Sequence, residues 1–386
     1  MRSSARRMSW RHASLVLVLG CFTSAHAAQA QDRPVEEAIE PAQDLATAQL
    51  DHTKPKPDLL VVPIPISNPA LGTGLTLAGM LIYNPNEAPQ PWVSGIGATY
   101  TETGTWGVGG FHSMSLEKDK YRLMLFGGYS DAKLKFYGVG ADAGERDVSV
   151  DIDDKGIFIL GQAQVRIAKH LYAGARYEYL NVDSRIDIPH PNFPDLNLPA
   201  IELDSKISMV GPMATFDSRD SSLNPRRGAF ITVDWLFGAD FLGSDFTHDK
   251  LQVGANLYKP IGKNTVVGVR KSLCAASEGA PFYDLCMFGQ MGDLRGFESG
   301  RYRDRVTWAF QGEFRQHLFG RFGAVAFGGI GGVAPRLKEI GKGELLGSFG
   351  AGLRYRASRQ NNINLRLDLA FTGDDTAVYF GIGESF

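Results

Sequence analysis

The charged and sulfur-bearing residues of this chain are spaced for ion pairing and cross-linking rather than for catalysis. No Gly-x-Ser-x-Gly nucleophile elbow occurs in its 386 residues. His112 lies inside an alternating apolar segment, His170 and His317 at the ends of two others, and His190 and His248 in or beside connections. None has a recognisable nucleophile or acid partner in the sequence, so all five read as ordinary satisfied or solvated histidines. No Cys/His cluster has metal-ligand spacing, and neither a metal nor another cofactor is expected. Glu313, Arg366 and Asp368 have the side chains of acid–base groups. Charges of both signs are equally expected in a polar interior without chemistry, and the chain does not read as an enzyme. Of three cysteines, Cys21 falls in an export signal, Cys274 stands at the start of a long connection and Cys286 lies within it. An oxidising compartment favours a disulfide between the latter two, the alternative being two free thiols.

The elements that position these residues are alternating segments. In 362–372, Ile363, Leu365, Leu367, Leu369 and Phe371 share one face, and Asn364, Arg366, Asp368 and Ala370 the other. In 305–318, Val306, Trp308, Phe310 and Phe314 oppose Thr307, Gln311, Glu313 and Arg315. The last segment sets Val378, Phe380, Ile382 and Phe386 against Ala377, Tyr379, Gly381, Gly383 and Ser385, with Glu384 the charged exception on the apolar side. An apolar face closed by a terminal aromatic is what a lipid-facing barrel wall requires. Arginine at a bilayer midplane costs ~2–4 kcal/mol, so the charged faces must look into a lumen. A soluble sandwich alternates too, with its apolar face inward. The export signal, the even strand count and the aromatic terminus decide for the barrel.

Sixteen strands are predicted: 58–68, 73–84, 92–103, 105–117, 121–137, 156–168, 170–184, 205–216, 228–240, 248–260, 264–275, 305–318, 322–334, 344–357, 362–372 and 376–386. Each is near or above the ~9–11 residues that a tilted strand needs to cross a bilayer. The fold class is all-β, a transmembrane antiparallel β-barrel of about 16 strands over 58–386. Before it, Arg2, Arg6, Arg7 and Arg11 precede a short apolar run, Ala13–Phe22, and two small-x-small sites, which reads as a signal peptide over 1–30. Residues 31–57, with Glu36, Glu37, Glu40, Asp44, Pro55 and Pro57, read as a flexible acidic periplasmic leader. The 45 glycines and 23 phenylalanines fit a barrel wall, and the mean hydropathy of −0.14 fits one whose polar lumen offsets its apolar exterior. A net charge of −2 without a basic stripe excludes a nucleic-acid partner. With both termini periplasmic, the long connections 138–155, 185–204, 241–247 and 276–304 fall outside. The tight ones at Lys118-Asp119-Lys120, Lys169, Gly262-Lys263 and Gly320-Arg321 fall inside, with 85–91 and 217–227 as long exceptions.

Within 276–304, Asp293-Leu294-Arg295-Gly296-Phe297 resembles the L-R-G-F signature of the BamA/TamA family of bacterial surface antigens. Phe216-Asp217-Ser218-Arg219-Asp220 with Asn224-Pro225 and Gly228 is similar to that family's strand connector, and Gly350-Ala351-Gly352-Leu353-Arg354 to its G-x-G-L-R strand. Glu313 stands at the family's lumenal glutamate, and Arg366-x-Asp368 and Gly381-Ile382-Gly383…Phe386 complete the resemblance. It implies that the long external loop folds into the lumen. Arg295 would then pair with Glu313, Gly296 would let the backbone turn, and Phe297 would pack on the wall. Arg354, Arg366 and Asp368 are the further lumenal partners, and Phe380, Ile382 and Phe386 the terminal strand signal. The solvent-exposed alternative pairs Glu313 with Arg315 instead. The chain departs from the family in two places. Phe327-Gly328-Gly329-Ile330-Gly331 has glycine where an aspartate is usual, which removes a second acidic partner for Arg295, and no receptor repeats precede the barrel.

The resemblance implies a barrel that assists insertion or transport of protein or lipid at the bacterial outer membrane, embedded as a monomer among lipid and lipopolysaccharide. Its partners would be client outer-membrane proteins or lipids and an unidentified periplasmic protein. The alternative is a passive pore or structural barrel.

Overall fold

The computed structural model describes residues 57–386, apart from 69–70, 87–89, 147, 188–203, 290–292, 359–362 and 374. The expected signal peptide and leader, the 188–203 connection and His190 lie outside the described residues. The chain forms β1 (Asp58–Asn68), β2 (Gly72–Tyr83), β3 (Trp92–Thr101), β4 (Trp106–Leu116), β5 (Tyr121–Phe136), β6 (Val150–Ala168), β7 (Leu171–Asp187), β8 (Asp204–Asp217) and β9 (Gly228–Gly238). There follow β10 (His248–Ile261), β11 (Thr265–Ala276), the short β12 (Cys286–Phe288) and β13 (Tyr302–Asp304), then β14 (Val306–Phe319), β15 (Phe322–Ala334), β16 (Leu346–Ser358), β17 (Ile363–Phe371) and β18 (Thr376–Ile382). One short helix, α1 (Ala141–Glu145), sits between β5 and β6.

Sixteen strands pair antiparallel in chain order, β1 to β11 and then β14 to β18, and β1 and β18 come side by side. The wall is a β-barrel, and β12 and β13 form a separate hairpin within the long connection. The predicted strands match it closely, with two corrections. The sixth begins at Val150 rather than 156, because its inward positions Ile152 and Asp154 stay buried. The last ends at Ile382 rather than 386, because Gly383 adopts φ 77° and turns the chain inward.

The outer surface explains the strand lengths. On β5 the outward residues run Tyr121, Leu123, Leu125, Gly127, Tyr129 and then become Asp131, Lys133, Lys135. β6 and β7 change in step: Ile157 and Ile159 give way to Lys155, Asp153 and Asp151, and Tyr177 and Tyr179 to Asn181, Asp183 and Arg185. Lys133 pairs with Asp153 at 2.5 Å and Lys155 with Asp131 at 3.2 Å. Hydrocarbon thus covers about ten residues of each strand, and the remainder of these 16- to 19-residue strands stands in water as an ionic ribbon. Aromatic pairs mark both borders of the apolar band. Trp106–Tyr129 and Trp235–Phe237 stand toward the loop end, and Phe319–Phe322–Tyr355 toward the turn end.

The inner surface is divided. From β11 through β18 it carries the charged residues the alternation predicts. From β2 to β9 it is largely apolar, with Met80, Phe111, Phe126, Phe158, Leu180 and Met209 packed in one buried cluster. This corrects the expectation of a polar lumen throughout. Inward side chains can be apolar wherever another part of the chain covers them, and here Phe282 and Tyr283 of the long connection do so.

At the turn end, Glu117, Lys118 and Asp119 all take positive φ. Asp119 holds this turn by accepting both arms of Arg122 (2.8 and 2.7 Å), the Tyr172 hydroxyl (2.5 Å) and the Ser115 hydroxyl (2.9 Å). Burial opposes its charge, but the fork and charge of Arg122 with the two hydroxyls outweigh it and hold the carboxyl below the ordinary aspartate range. Ionisation therefore stabilises the turn above pH ~4, and that contribution disappears as pH falls further. Protection of the Lys120 and Tyr121 amides, taken relative to the intrinsic exchange rate at each pH, should fall in acid in the parent but not in Asp119→Asn. For the band itself, Leu125→Arg at its centre should lower stability by ~2–4 kcal/mol in urea unfolding from lipid vesicles. Lys133→Ala, beyond the band, should cost under ~1 kcal/mol.

Candidate functional site

The candidate site is the long connection, 277–305, where it lies inside the barrel. Its entry is fixed covalently: Cys274 on β11 and Cys286 on β12 are disulfide-bonded, with Cα atoms 5.8 Å apart and 12 residues of separation. Closing a ring of this size restricts the unfolded chain by about 3 kcal/mol. Two residues earlier, Asp284 is fully buried and accepts from His248 Nε2 at 2.6 Å and Lys250 Nζ at 3.3 Å. Tyr283 shares a 2.5 Å hydroxyl hydrogen bond with Ser205. His248 thus has an acid partner that no local spacing revealed, since Asp284 is 36 residues away in the chain.

The middle of the connection carries the L-R-G-F residues. Arg295 is 1 % exposed. Its Nη1 donates to Asp368 at 2.7 Å, its Nη2 to Glu313 at 2.7 Å and its Nε to Gln311 at 3.1 Å. The face of the guanidinium lies 3.5 Å from the Phe327 ring centroid. Hydrogen bonds in the plane and an aromatic quadrupole beneath it use the two recognition modes of this cation together. Gly296, at φ 118°, donates its N–H to the Tyr379 hydroxyl at 2.9 Å. A Cβ there would lie 2.8 Å from Thr372, so the tight turn and the close approach both require glycine. Leu294 and Phe297 are buried in a cluster with Phe288, Tyr302, Val333 and Leu346. Phe297 meets Phe288 and Tyr302 edge-on, at 5.2 and 5.9 Å. Further out, Tyr137 donates to Glu298 at 2.8 Å, and Arg301 to Asp375 at 2.6 Å.

The wall side of the site is one ionic network. Glu313 accepts from Arg315 as well as from Arg295, so both pairings weighed from the sequence are present at once. Asp368 also takes Arg354 at 2.5 Å and has Arg366 at 3.6 Å. Glu384 takes Arg354 at 2.7 Å and Asn364 at 2.7 Å, with Arg315 at 3.6 Å. Four arginines and three carboxylates therefore interlock in the described part of the lumen.

Two expectations change here. Glycine at position 329 does not leave Arg295 short of an acid, because Asp368 comes in from β17. The glycine has its own reason: a Cβ on Gly329 would lie 2.6 Å from Leu294 and 2.4 Å from the Phe310 carbonyl. Phe386 does not face lipid. After the turn at Gly383 it is 3 % exposed, its ring 6.5 Å from Tyr258, and its carbonyl accepts from Arg315 at 2.6 Å. Glu384, the exception on the apolar face of the strand pattern, is buried by the same turn. Val378 stays exposed on the wall and Phe380 half-buried, as alternation requires.

Asp368 is the hub of the network, and the charges around it set the outcome of substitution. Arg295→Ala leaves Glu313 with Arg315 and Asp368 with Arg354, so no carboxylate is orphaned. Asp368→Asn leaves Arg295, Arg354 and Arg366 crowded together with one counter-charge fewer, a loss of about 3–5 kcal/mol. The temperature at which the folded form converts to the unfolded one on detergent gels should fall further for Asp368→Asn than for Arg295→Ala. The reverse order would mean that the loop contact, not the wall hub, contributes more to stability.

The Omp85 superfamily domain matches residues 120–386, which includes every residue of this network. Comparison with curated proteins gives no match. Among solved structures, the chain resembles BamA from Haemophilus ducreyi lacking POTRA domains 1-3 (TM-score 0.59, 13% identity, 85% of this chain and 70% of that one). It also resembles CdiB from Acinetobacter baumannii (TM-score 0.57, 13%, 85% of this chain and 60% of that one) and CdiB from Escherichia coli (TM-score 0.57, 12%, 86% and 63%). The chain thus spans under two thirds of either CdiB, and at these identities the likeness is one of fold. Barrel, lumenal loop and domain match together establish that the chain belongs to the Omp85 superfamily of outer-membrane insertion and translocation barrels.

Proposed function

We propose that this barrel assists the insertion or transport of polypeptide or lipid at the bacterial outer membrane, and that it does so without enzymatic chemistry. One observation carries the reading: the loop is locked onto the wall formed by β14 to β18, the part of the wall that ends at the seam with β1. Arg295 reaches β14 and β17, and Gly296 reaches Tyr379 on β18 itself. A change in pairing at the seam is therefore felt by the loop, and the reverse holds by linkage. The seam is built to be weak. β18 has seven residues against eleven in β1, so part of the β1 edge has no length of β18 to match it. Unmatched backbone groups on an edge are a template for an incoming strand.

The passive-pore alternative receives less support. Sixteen strands can enclose an aqueous channel. Here the loop lies across that space, on the apolar wall through Phe282 and Tyr283 and on the ionic wall through Arg295. The arginine's buried hydrogen bonds give it a single seat, unlike a solvated surface loop.

A photoreactive side chain placed at Ile64 or Ile66 on β1 should capture nascent barrel proteins or lipid in growing cells, while one at Ile96 on β3 should not. Capture at neither, with normal levels of the protein, would count against a role for the seam. In planar bilayers the parent should show rare, noisy openings, and Arg295→Ala larger and more frequent ones. A stable large conductance in the parent would favour the pore.

A further inference from the structure

The turn end of the lumen holds a cleft whose charge the network does not neutralise. Arg315, Arg354 and Glu384 of the network line it, and the two arginines also reach Glu313 and Asp368 beyond its lining. Nearer the mouth, Arg226, Arg321 and Arg356 line it together with Asn264 and His317. Arg226 donates to the Lys263 carbonyl at 2.7 Å. Arg321 donates to the carbonyls of Arg356 and Ala357 at 3.3 and 3.2 Å. The Nε of Arg356 is buried without a hydrogen-bond partner. Among the described residues, none of these three arginines has a carboxylate within ion-pair distance. Glu384 is the one acid lining the cleft, and it is already held by Arg354. Three guanidiniums round a partly enclosed, low-dielectric mouth focus a positive potential that attracts an anionic segment.

The chain supplies such a segment itself. Between residues 34 and 53 there is no lysine or arginine, but there are Glu36, Glu37, Glu40, Asp44 and Asp51. We infer that this acidic stretch docks in the arginine cleft of its own barrel. The tether has the right length. The chain enters the wall at Asp58, at the turn end of β1, and β1 touches β18, which pairs with β17. Asn364 of β17 and Arg356 of β16 line the cleft. With strands ~4.8 Å apart, three strand spacings amount to roughly 14 Å. Fourteen residues separate Asp44 from Asp58, and a chain of that length reaches at most about 46 Å when extended, so the cleft lies within its reach. The local concentration of the acidic stretch at the cleft is then on the order of millimolar, above what an untethered acidic peptide would reach. Lys54 and Lys56 lie in the tether, outside the acidic stretch, and do not interrupt it.

The test uses the full chain with cysteines at Ala42 and at Asn264, an exposed position on the cleft rim. The control carries the second cysteine at Lys118 on the opposite side of the turn end. Disulfide formation should be at least tenfold faster for the 42–264 pair than for 42–118, and should slow at least tenfold between 50 and 500 mM salt. Arg321→Glu with Arg356→Glu should abolish the preference, and Glu36→Lys, Glu37→Lys and Glu40→Lys added to that variant should restore it. Restoration also shows that the charge-reversed barrel is folded. Equal rates for the two pairs, or a 42–264 rate indifferent to salt, overturn the proposal. So does a variant with Arg321→Glu and Arg356→Glu that loses binding to vesicles containing an anionic phospholipid while its cross-linking stays unchanged, because the cleft would then serve lipid phosphate.

Discussion

A guanidinium taken out of water has to find carboxylates in the right plane, and the architecture around Arg295 follows from that requirement. An isolated buried charge costs many kcal/mol, whereas one with satisfied donors is tolerable. Glu313 and Asp368 can serve Arg295 only if their strands, β14 and β17, hold fixed registers, and only if β15 between β14 and β16 keeps Phe327 beneath the cation. A slip of one residue in any of these strands would send the charged set into hydrocarbon. The ion pairs and the lipid-facing alternation therefore specify one register twice, from inside and from outside.

The two halves of the lumen meet the loop by different physics. On the β2–β9 side the contact is mainly apolar, with Phe282 and Tyr283 completing a core that the wall begins and a Tyr283–Ser205 hydroxyl bond fixing its edge. On the β14–β18 side it is ionic and directional. The disulfide and the buried Asp284–His248–Lys250 group stand where the chain passes from one to the other. An apolar contact can slide without a large penalty, whereas an arginine among carboxylates has one seat. The fixed end of the loop and its specific end are thus separate parts, about ten residues apart in sequence.

Most of the wall was legible in the sequence because a strand's two faces meet two different surroundings, and the period of two runs unbroken through most of each strand. The segments around Leu365, Leu367 and Leu369, or Phe310 and Phe314, showed two distinct faces by alternation, and the export signal decided which of them meets lipid. The apolar half of the lumen was not legible. Met80 or Phe158 facing inward carries the same signal as an outward residue until the covering loop is known. Nor was Asp284 readable as a partner of His248, since that contact depends on where a loop lands. The L-R-G-F motif pointed to the site, but the lock needed Gln311, Phe327 and Tyr379, ordinary wall residues made special by Arg295 arriving among them. The terminal pattern misled for a simple reason: alternation continues on paper through Gly383, but a residue at φ 77° ends the strand.

The paired strands β5 to β7 continue beyond the hydrocarbon as a sheet laced by Lys133, Asp153, Lys155 and Asp131. The described part of these strands beyond the apolar band is consequently a paired sheet with a defined charge pattern. A partner that bound this ribbon would meet lysines and aspartates at spacings set by the strand register. Recognition of it would read charge spacing along paired strands.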